Sequence, residues 1–292
     1  MHVDTNAIAP SILRSAALQR KVAGTAGSFT ALCFGGNFNW TLRDLQTNED
    51  RGKNDTLVQK LWEIMCALDC KSAYAPSPVL FNGKIVEPSS LNKQIIVGAG
   101  FNLFRNKDEP ADGTFLKPGQ MGIISAAGCP VIVARYKGVM IFAHAGRDSL
   151  FDRSSIEKGS LEVARGSVVD SIMARLQVPR LERDEIFAHV FFSIGAKALT
   201  HPLLDERYGA FNRNMHKFVA HHWGEQCAYL NSAGSNLHLN LPQLIKRQFE
   251  RCGVPSGNVT LDLNNVEDLR TLAHTRGENR DRRNLVVIAR HS

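Results

Sequence analysis

The feature that most constrains the fold of this chain is a pair of short apolar runs within the stretch GCPVIVARYKGVMIFAHAG, residues 128–146. The runs at 131–136 and 139–144 have the length and composition of buried strands. Lys137-Gly138 between them carries the glycine that a two-residue hairpin turn favours. The pattern therefore predicts an antiparallel hairpin that is covered on both faces.

The register of this hairpin decides whether Cys129 and His144 can meet. A two-residue turn makes Tyr136 face Val139, which in turn places Val131 opposite His144. Cys129 precedes Val131 by two residues, so the two side chains point to the same face. Cys129 and His144 are then diagonal neighbours, roughly 7–8 Å apart at the backbone. A one-residue shift of register would separate them.

A thiol beside an imidazole is a pairing that nucleophilic catalysis uses. An unperturbed cysteine has a pKa of about 8.5 and is mostly protonated at neutral pH. An imidazole lowers that pKa and carries protons during acyl transfer. Gly128 allows a sharp backbone turn that can aim an N–H near Cys129 at a developing oxyanion. From the residues alone, a catalytic pair and two ordinary residues of a buried hairpin both remain open.

The remaining sequence predicts an α/β fold. Strands and helices alternate without a regular βαβ rhythm, which favours a sandwich of mixed β-sheet flanked by helices. The 292 residues suffice for one large domain, and no linker divides them. We expect a single catalytic domain over residues 1–292, with a helical lead-in over 1–28.

The individual elements follow from periodicity and turn residues. We predict strands at 28–34, 93–104, 121–126, 258–263 and 283–290. We predict helices at 55–70, 161–176, 203–222 and 241–253, and a surface connection at 105–120.

Charge and composition exclude several classes of function. The formal net charge is +7, but no block of five like charges occurs, so we expect no nucleic-acid partner. The six cysteines lack disulfide-framework or zinc spacing, so we expect neither metal nor cofactor. No apolar run reaches the ~18–20 residues of a membrane span, and no signal peptide is visible. We expect His189 and His201 to be structural or surface histidines.

The segment SAAGCPVIVARYKGVMIFAHAGRDSL, residues 125–150, resembles the catalytic segment of the cytotoxic necrotizing factor and dermonecrotic toxins. The match covers about 26 residues without gaps. The residues that carry it are Gly128-Cys129, Ile132-Val133-Ala134-Arg135, Gly138, His144 with Gly146, and Ser149-Leu150. The family has Leu-Ser before the Gly-Cys pair, where this chain has Ala126-Ala127, so a hydroxyl near the oxyanion region is missing.

This resemblance implies a function and a set of site residues. The family's catalytic domains deamidate or transglutaminate a switch II glutamine of Rho-family GTPases through a thioester. Cys129 is then the nucleophile, His144 the general base and acid, and the backbone carbonyl of Val97 the third element. The partners are a host Rho-family GTPase and, for transglutamination, a primary amine or polyamine. The implied protein is a secreted or translocated toxin that acts in the host cytosol without metal or cofactor.

Two alternatives stay open beside this one. Bacterial laccase-domain proteins, the peptidoglycan-editing factors or polyphenol oxidases, are small-molecule hydrolases or phosphorylases that resemble Cys129-Pro130-Val131 and Ala143-His144-Ala145-Gly146. Their pattern continues Trp-Arg-Gly, where this chain has Arg147-Asp148-Ser149, and has Asp where this chain has Gly128. They also use an upstream histidine, and none occurs between His2 and His144. The other alternative is an inactive protein-binding module of the same fold.

Overall fold

The computed structural model describes residues 12–23, 27–35, 38–79, 83–262, 264–269, 271–274, 276–278 and 280–291. The predicted helical lead-in therefore lies partly outside the described residues. Leu18–Val22 forms a strand rather than a helix, since its residues alternate between buried and exposed positions beside a buried neighbouring strand.

The described residues form strands that we number in chain order. They are β1 (Leu18–Val22), β2 (Phe29–Phe34), β3 (Ser72–Tyr74), β4 (Ile85–Val86), β5 (Lys93–Gly98), β6 (Phe101–Arg105), β7 (Gly113–Phe115), β8 (Gln120–Ala126), β9 (Val131–Tyr136), β10 (Val139–His144), β11 (Phe187–Phe191), β12 (Thr200–Pro202), β13 (Ala228–Leu230), β14 (Asn236–Leu239), β15 (Val259–Leu261) and β16 (Asn284–Arg290).

The helices of the same part of the chain are numbered likewise. They are α1 (Asp55–Ala67), α2 (Arg147–Leu150), α3 (Arg153–Glu157), α4 (Val168–Leu176), α5 (Gly209–Trp223) and α6 (Leu241–Arg251). Short 3₁₀ helices lie at Asn48–Asn54, Pro88–Ser90, Arg180–Glu185, Ser256–Asn258 and Val266–Asp268. No helix in the described ranges is long and apolar enough to cross a membrane.

The strands form two large sheets and one small one. The first sheet has the order β1-β2-β16-β8-β3-β6-β5, and the second has the order β15-β11-β9-β10-β7-β4. The small sheet has the order β12-β14-β13. Both large sheets are mixed, because β3 runs parallel to β6 and β8, and β11 runs parallel to β15.

Apolar side chains from both large sheets meet in one buried layer, which we call the central layer. It contains Phe29 and Cys33 of β2, Val133 of β9 and Phe142 of β10, among others. The outer face of the first sheet packs on α1, and the outer face of the second packs on α4, α5 and α6. The predicted α/β sandwich of mixed sheet flanked by helices is thus confirmed.

The predicted hairpin has the predicted register. Val139 pairs with Tyr136 and His144 pairs with Val131, so β9 and β10 are joined by a two-residue turn. Lys137 and Gly138 have φ angles of 41° and 78°, which is the positive-φ pair of a type I′ turn. Every residue of β9 except the last is buried, as expected of a central strand covered on both faces.

The helix that we predicted at 161–176 is shorter than expected. It begins at Val168, where Ser167 accepts a hydrogen bond from the Asp170 N–H and forms a capping box. The preceding residues are held in an irregular path because the carboxylate of Asp152 accepts hydrogen bonds from the N–H groups of Ala164 and Arg165, each 3.0 Å long.

Candidate active site

The hairpin places Cys129 and His144 at one end of the second sheet. Cys129 lies just before β9, and His144 is the last residue of β10. Gly128 has a φ of +86°, a conformation that residues with a side chain rarely adopt, and its carbonyl accepts the Ile194 N–H at 2.8 Å. The turn before Cys129 is therefore fixed to the chain that follows β11.

Both side chains line a cleft of about 400 Å³, which we call the thiol cleft. This volume is in the range of small-molecule sites. Its wall consists of Pro78, Val79, Asp112, Ala127, Gly128, Cys129, His144, Gly146, Arg147, Asp148, Ser149, Ile194, Leu199, His201, Leu241 and Arg276. Ala127 is part of this wall, so the hydroxyl that a serine would supply is absent from the cleft beside Cys129.

Asp112 is the third member of the site, and the topology brings it there. It directly precedes β7, which pairs with β10 so that Gly113 faces Ala143. The His144 N–H donates to the Asp112 carbonyl at 2.8 Å, and His144 Nδ1 lies 3.0 Å from Asp112 Oδ1. The N–H of Gly83 donates to Asp112 Oδ2 at 2.6 Å. The buried carboxylate thus fixes the imidazole and leaves Nε2 for the thiol.

The electrostatics favour a thiolate beside an imidazolium. Burial raises the pKa of Cys129, but the charge of His144, a hydrogen bond to it and the guanidinium groups of Arg283 and Arg147 outweigh burial and lower the pKa. Burial lowers the pKa of His144, but the Cys129 thiolate and the Asp112 carboxylate outweigh that effect and raise it. The two shifts have opposite signs, as in an ion pair whose members stabilise each other.

The backbone beside the thiol supplies a hydrogen-bond donor. The N–H of Cys129 donates to no other residue in the described part of the chain. An N–H directly at a nucleophile is where acyl-transfer enzymes stabilise the oxyanion of the tetrahedral intermediate. The arrangement can therefore attack a carbonyl carbon, stabilise the resulting negative charge and move a proton.

The structure brings together only two of the three predicted site residues. Val97 lies in β5, at the edge of the first sheet, and its side chain packs in the core against α1. No hydrogen bond joins Val97 to His144 among the residues that the structure describes, and Asp112 occupies the position on Nδ1. Asp112 could not be identified before the structure, because Asp-Gly in a segment rich in proline and glycine is typical of a surface turn.

Two arginines and a histidine form the far wall of the thiol cleft. Arg147 begins α2, His201 lies in β12 and Arg276 lies in the segment before β16. His201 was expected to be a structural or surface histidine, but it is buried in the wall of the cleft. His189 does match that expectation, since it is packed between Phe29 and Phe191 and contacts Arg135.

The described residues contain no cluster of side chains that fits a metal centre. In the described ranges, no three or more His, Cys, Asp or Glu side chains are arranged to hold a metal ion. Asp112 and His144 are hydrogen-bonded to each other. The upstream histidine of the laccase-domain pattern has no counterpart between His2 and His144.

Solved structures with the same fold include proteins from three bacteria. The hypothetical protein YfiH of Bacillus licheniformis is 15% identical, with a TM-score of 0.60 over 89% of this chain and 92% of its own. YlmD of Geobacillus stearothermophilus is 14% identical, with a TM-score of 0.59 over 94% and 100%. A DUF152 protein of Neisseria meningitidis is 16% identical, with a TM-score of 0.57 over 94% and 99%.

No protein-family model matches the sequence, and no curated protein matches it. At these identities the structural likeness shows the fold alone.

These neighbours correct the assignment to the necrotizing factors. They are YfiH, YlmD and a DUF152 protein and not toxin domains, so the assignment to toxins is wrong. The predicted deamidation or transglutamination of a Rho-family GTPase and the predicted role in virulence depended on that assignment, and they are wrong as well. The physical reason is that the longest matched run, Ile132-Val133-Ala134-Arg135, consists of buried hairpin residues that the fold requires whatever the substrate.

Proposed function

We propose that this protein is a small-molecule hydrolase that cleaves an amide through a Cys129 thioester. The observation that carries the proposal is the chain of contacts from Cys129 to His144 to Asp112 inside the thiol cleft. The fold neighbours support a small-molecule enzyme of the laccase-domain kind over a protein-modifying toxin. The site supports a nucleophilic thiol, because a buried cysteine without a catalytic partner has a raised pKa.

The reaction follows from the roles of the three side chains. The thiolate of Cys129 attacks the carbonyl carbon, and the backbone N–H of Cys129 stabilises the oxyanion. The carbon–nitrogen bond breaks as the imidazolium of His144 gives its proton to the leaving amine. Water then attacks the thioester while His144 takes a proton from it, and the carboxylic acid leaves as the thiolate is restored. Asp112 holds the imidazole in position throughout.

The test is hydrolysis of a panel of N-acyl amino acids of different acyl length, followed by amine release and by mass spectrometry of the protein. For the amides that turn over, Cys129→Ala should reduce kcat by at least about 1000-fold, because no nucleophile remains. The wild-type protein should carry an acyl group on Cys129 during turnover. Cys66→Ala is the matched control, since Cys66 is also partly buried but lies on α1.

Two results would contradict the proposal. One is unchanged amide turnover in Cys129→Ala. The other is phosphate-dependent cleavage of nucleosides that persists in Cys129→Ala, which would assign a phosphorylase without a thiol nucleophile.

A further inference from the structure

A second cavity of about 380 Å³ lies beside the thiol cleft. The two cavities share Arg147, His201 and Arg276, so these three residues stand between them. The far side of the second cavity carries the aromatic rings of Tyr208 and Phe211. None of these five residues has a role in the bond-breaking steps described above.

Arg276 has a charge that no acid neutralises. Its Nη2 lies 3.3 Å from His201 Nδ1, and none of the carboxylates that the structure describes forms an ion pair with it. Burial and the charge of Arg147 lower the pKa of Arg276, but a guanidinium remains protonated in proteins. The two arginines are therefore close enough to repel each other.

His201 presents an unused hydrogen-bond donor. It is 4% exposed, and burial together with the charges of Arg147 and Arg276 lowers its pKa to about 3, so the ring is neutral. Because Nδ1 accepts from Arg276, the ring proton is on Nε2. That Nε2 is buried and has no hydrogen-bond partner in the described residues. Buried polar groups without partners are rare in folded proteins and call for an explanation.

The acids Asp148 of the thiol cleft and Asp205 of the second cavity are already engaged. Asp148 accepts hydrogen bonds from Arg147 at 3.1 and 3.2 Å and lies 3.7 Å from Arg153. The Asp205 carboxylate accepts the N–H groups of Arg207 and Tyr208. The partners of these acids are thus fixed within the chain, whereas Arg276 and His201, which line both cavities, have no acid partner among the described residues.

We propose that Arg276 and the Nε2–H of His201, beside the Asp148-paired Arg147, form a binding site for an oxyanion of the substrate, a carboxylate or a phosphate. A planar guanidinium binds either group through two parallel hydrogen bonds, and a neutral N–H adds a third. The proposal rests on the proposed function for the position of the scissile bond at Cys129. It narrows the substrate to an amide that carries an anionic group on one side of that bond.

The test compares two alkylating reagents at Cys129. Iodoacetate and iodoacetamide transfer the same carbon to the thiolate and release iodide, but only iodoacetate is an anion. We expect iodoacetate labelling of the wild-type protein to saturate with concentration and to be inhibited by inorganic phosphate or by acetate. The inhibitor that acts at the lower concentration identifies the preferred anion as phosphate or carboxylate.

The variant Arg276→Gln isolates the anion site. It should lower the ratio of the iodoacetate rate to the iodoacetamide rate about tenfold, which is the typical effect of losing one charge-assisted hydrogen bond. The iodoacetamide rate should stay unchanged, which shows that the thiol and the fold are intact. Arg43→Gln is the matched control, because Arg43 is exposed and lines a depression with no residue in common with the cleft.

An equal ratio in the wild-type protein and in Arg276→Gln would overturn the anion site while leaving the reactive thiol in place. Failure of both reagents to label wild-type Cys129 would instead overturn the proposed function. The two failures are thus distinguishable.

Discussion

Two cysteines lie at the same central layer, and their surroundings shift the pKa values of their thiols in opposite directions. Cys33 of β2 is fully buried between the large sheets, and burial raises the pKa of its thiol. Cys129 also packs against this layer, but its pKa is lowered because His144 lies beside it. Burial likewise raises the pKa of Cys70 and Cys252 to about 11. The comparison shows that positively charged neighbours, with His144 first among them, reverse for Cys129 the effect that burial has on the other thiols.

The largest effect is expected from His144→Ala, which removes the imidazole and should abolish the difference in pKa between Cys129 and the other buried cysteines. The pKa of Cys129 should then rise, because burial still acts while the charge and hydrogen bond of His144 are gone. Alkylation by iodoacetamide at neutral pH should slow about 100-fold, in proportion to the lost thiolate.

The measurement is the pH profile of labelling. For the wild-type protein, the labelling rate should reach half its maximum at a pH below the ~8.5 of a free thiol, because a lowered pKa keeps the thiolate at lower pH. In His144→Ala the midpoint should move to higher pH. The same midpoint in both proteins would show that His144 does not act on the thiol.

A smaller effect is expected from Asp112→Asn. The amide keeps the shape of the side chain but loses the charge that supports the imidazolium, so kcat should fall about 10- to 100-fold. KM should change little, because Asp112 acts on His144 and not on the substrate. Steady-state kinetics with Asp44→Asn as the exposed control separates these effects. A change confined to KM would place Asp112 in substrate binding instead.

The smallest effect on activity is expected from Cys33→Ala, which tests the other side of the comparison. Cys33 behaves as a small apolar side chain, so kcat should stay within about twofold of the wild-type value. The free energy of unfolding should fall by roughly 1 kcal/mol, because a small cavity opens between the sheets. Denaturant unfolding measures the second quantity. A large loss of activity would mean that the central layer controls the geometry of the thiol cleft.

The parts of the fold that depend on local sequence could be predicted. The register of β9 and β10 followed from a two-residue turn, and it alone placed Cys129 near His144. The helix predicted at 55–70 is likewise present, as α1 at Asp55–Ala67. Both depend on neighbours within about fifteen residues, where periodicity carries the information.

The remaining parts of the site could not be predicted, because they come from distant segments. Asp112 reaches His144 only through the pairing of β7 with β10. His201 and Arg276 are 75 residues apart and meet because β12 and the segment before β16 converge on the thiol cleft. A single sequence contains no periodic signal for such pairings. The resemblance of residues 125–150 to the toxin segment reflected the shared hairpin and did not identify the substrate.

The position of β16 also governs when this protein can fold during synthesis. The strand lies between β2 and β8 in the first sheet. One edge of β2 pairs with β1, and the other edge can pair only after β16 has been synthesised. A nascent chain therefore exposes β2 and β8 as unpaired strand edges until residue 290 has left the ribosome. The hairpin of β9 and β10 can form much earlier, so Cys129 and His144 can be neighbours before the sandwich closes over them.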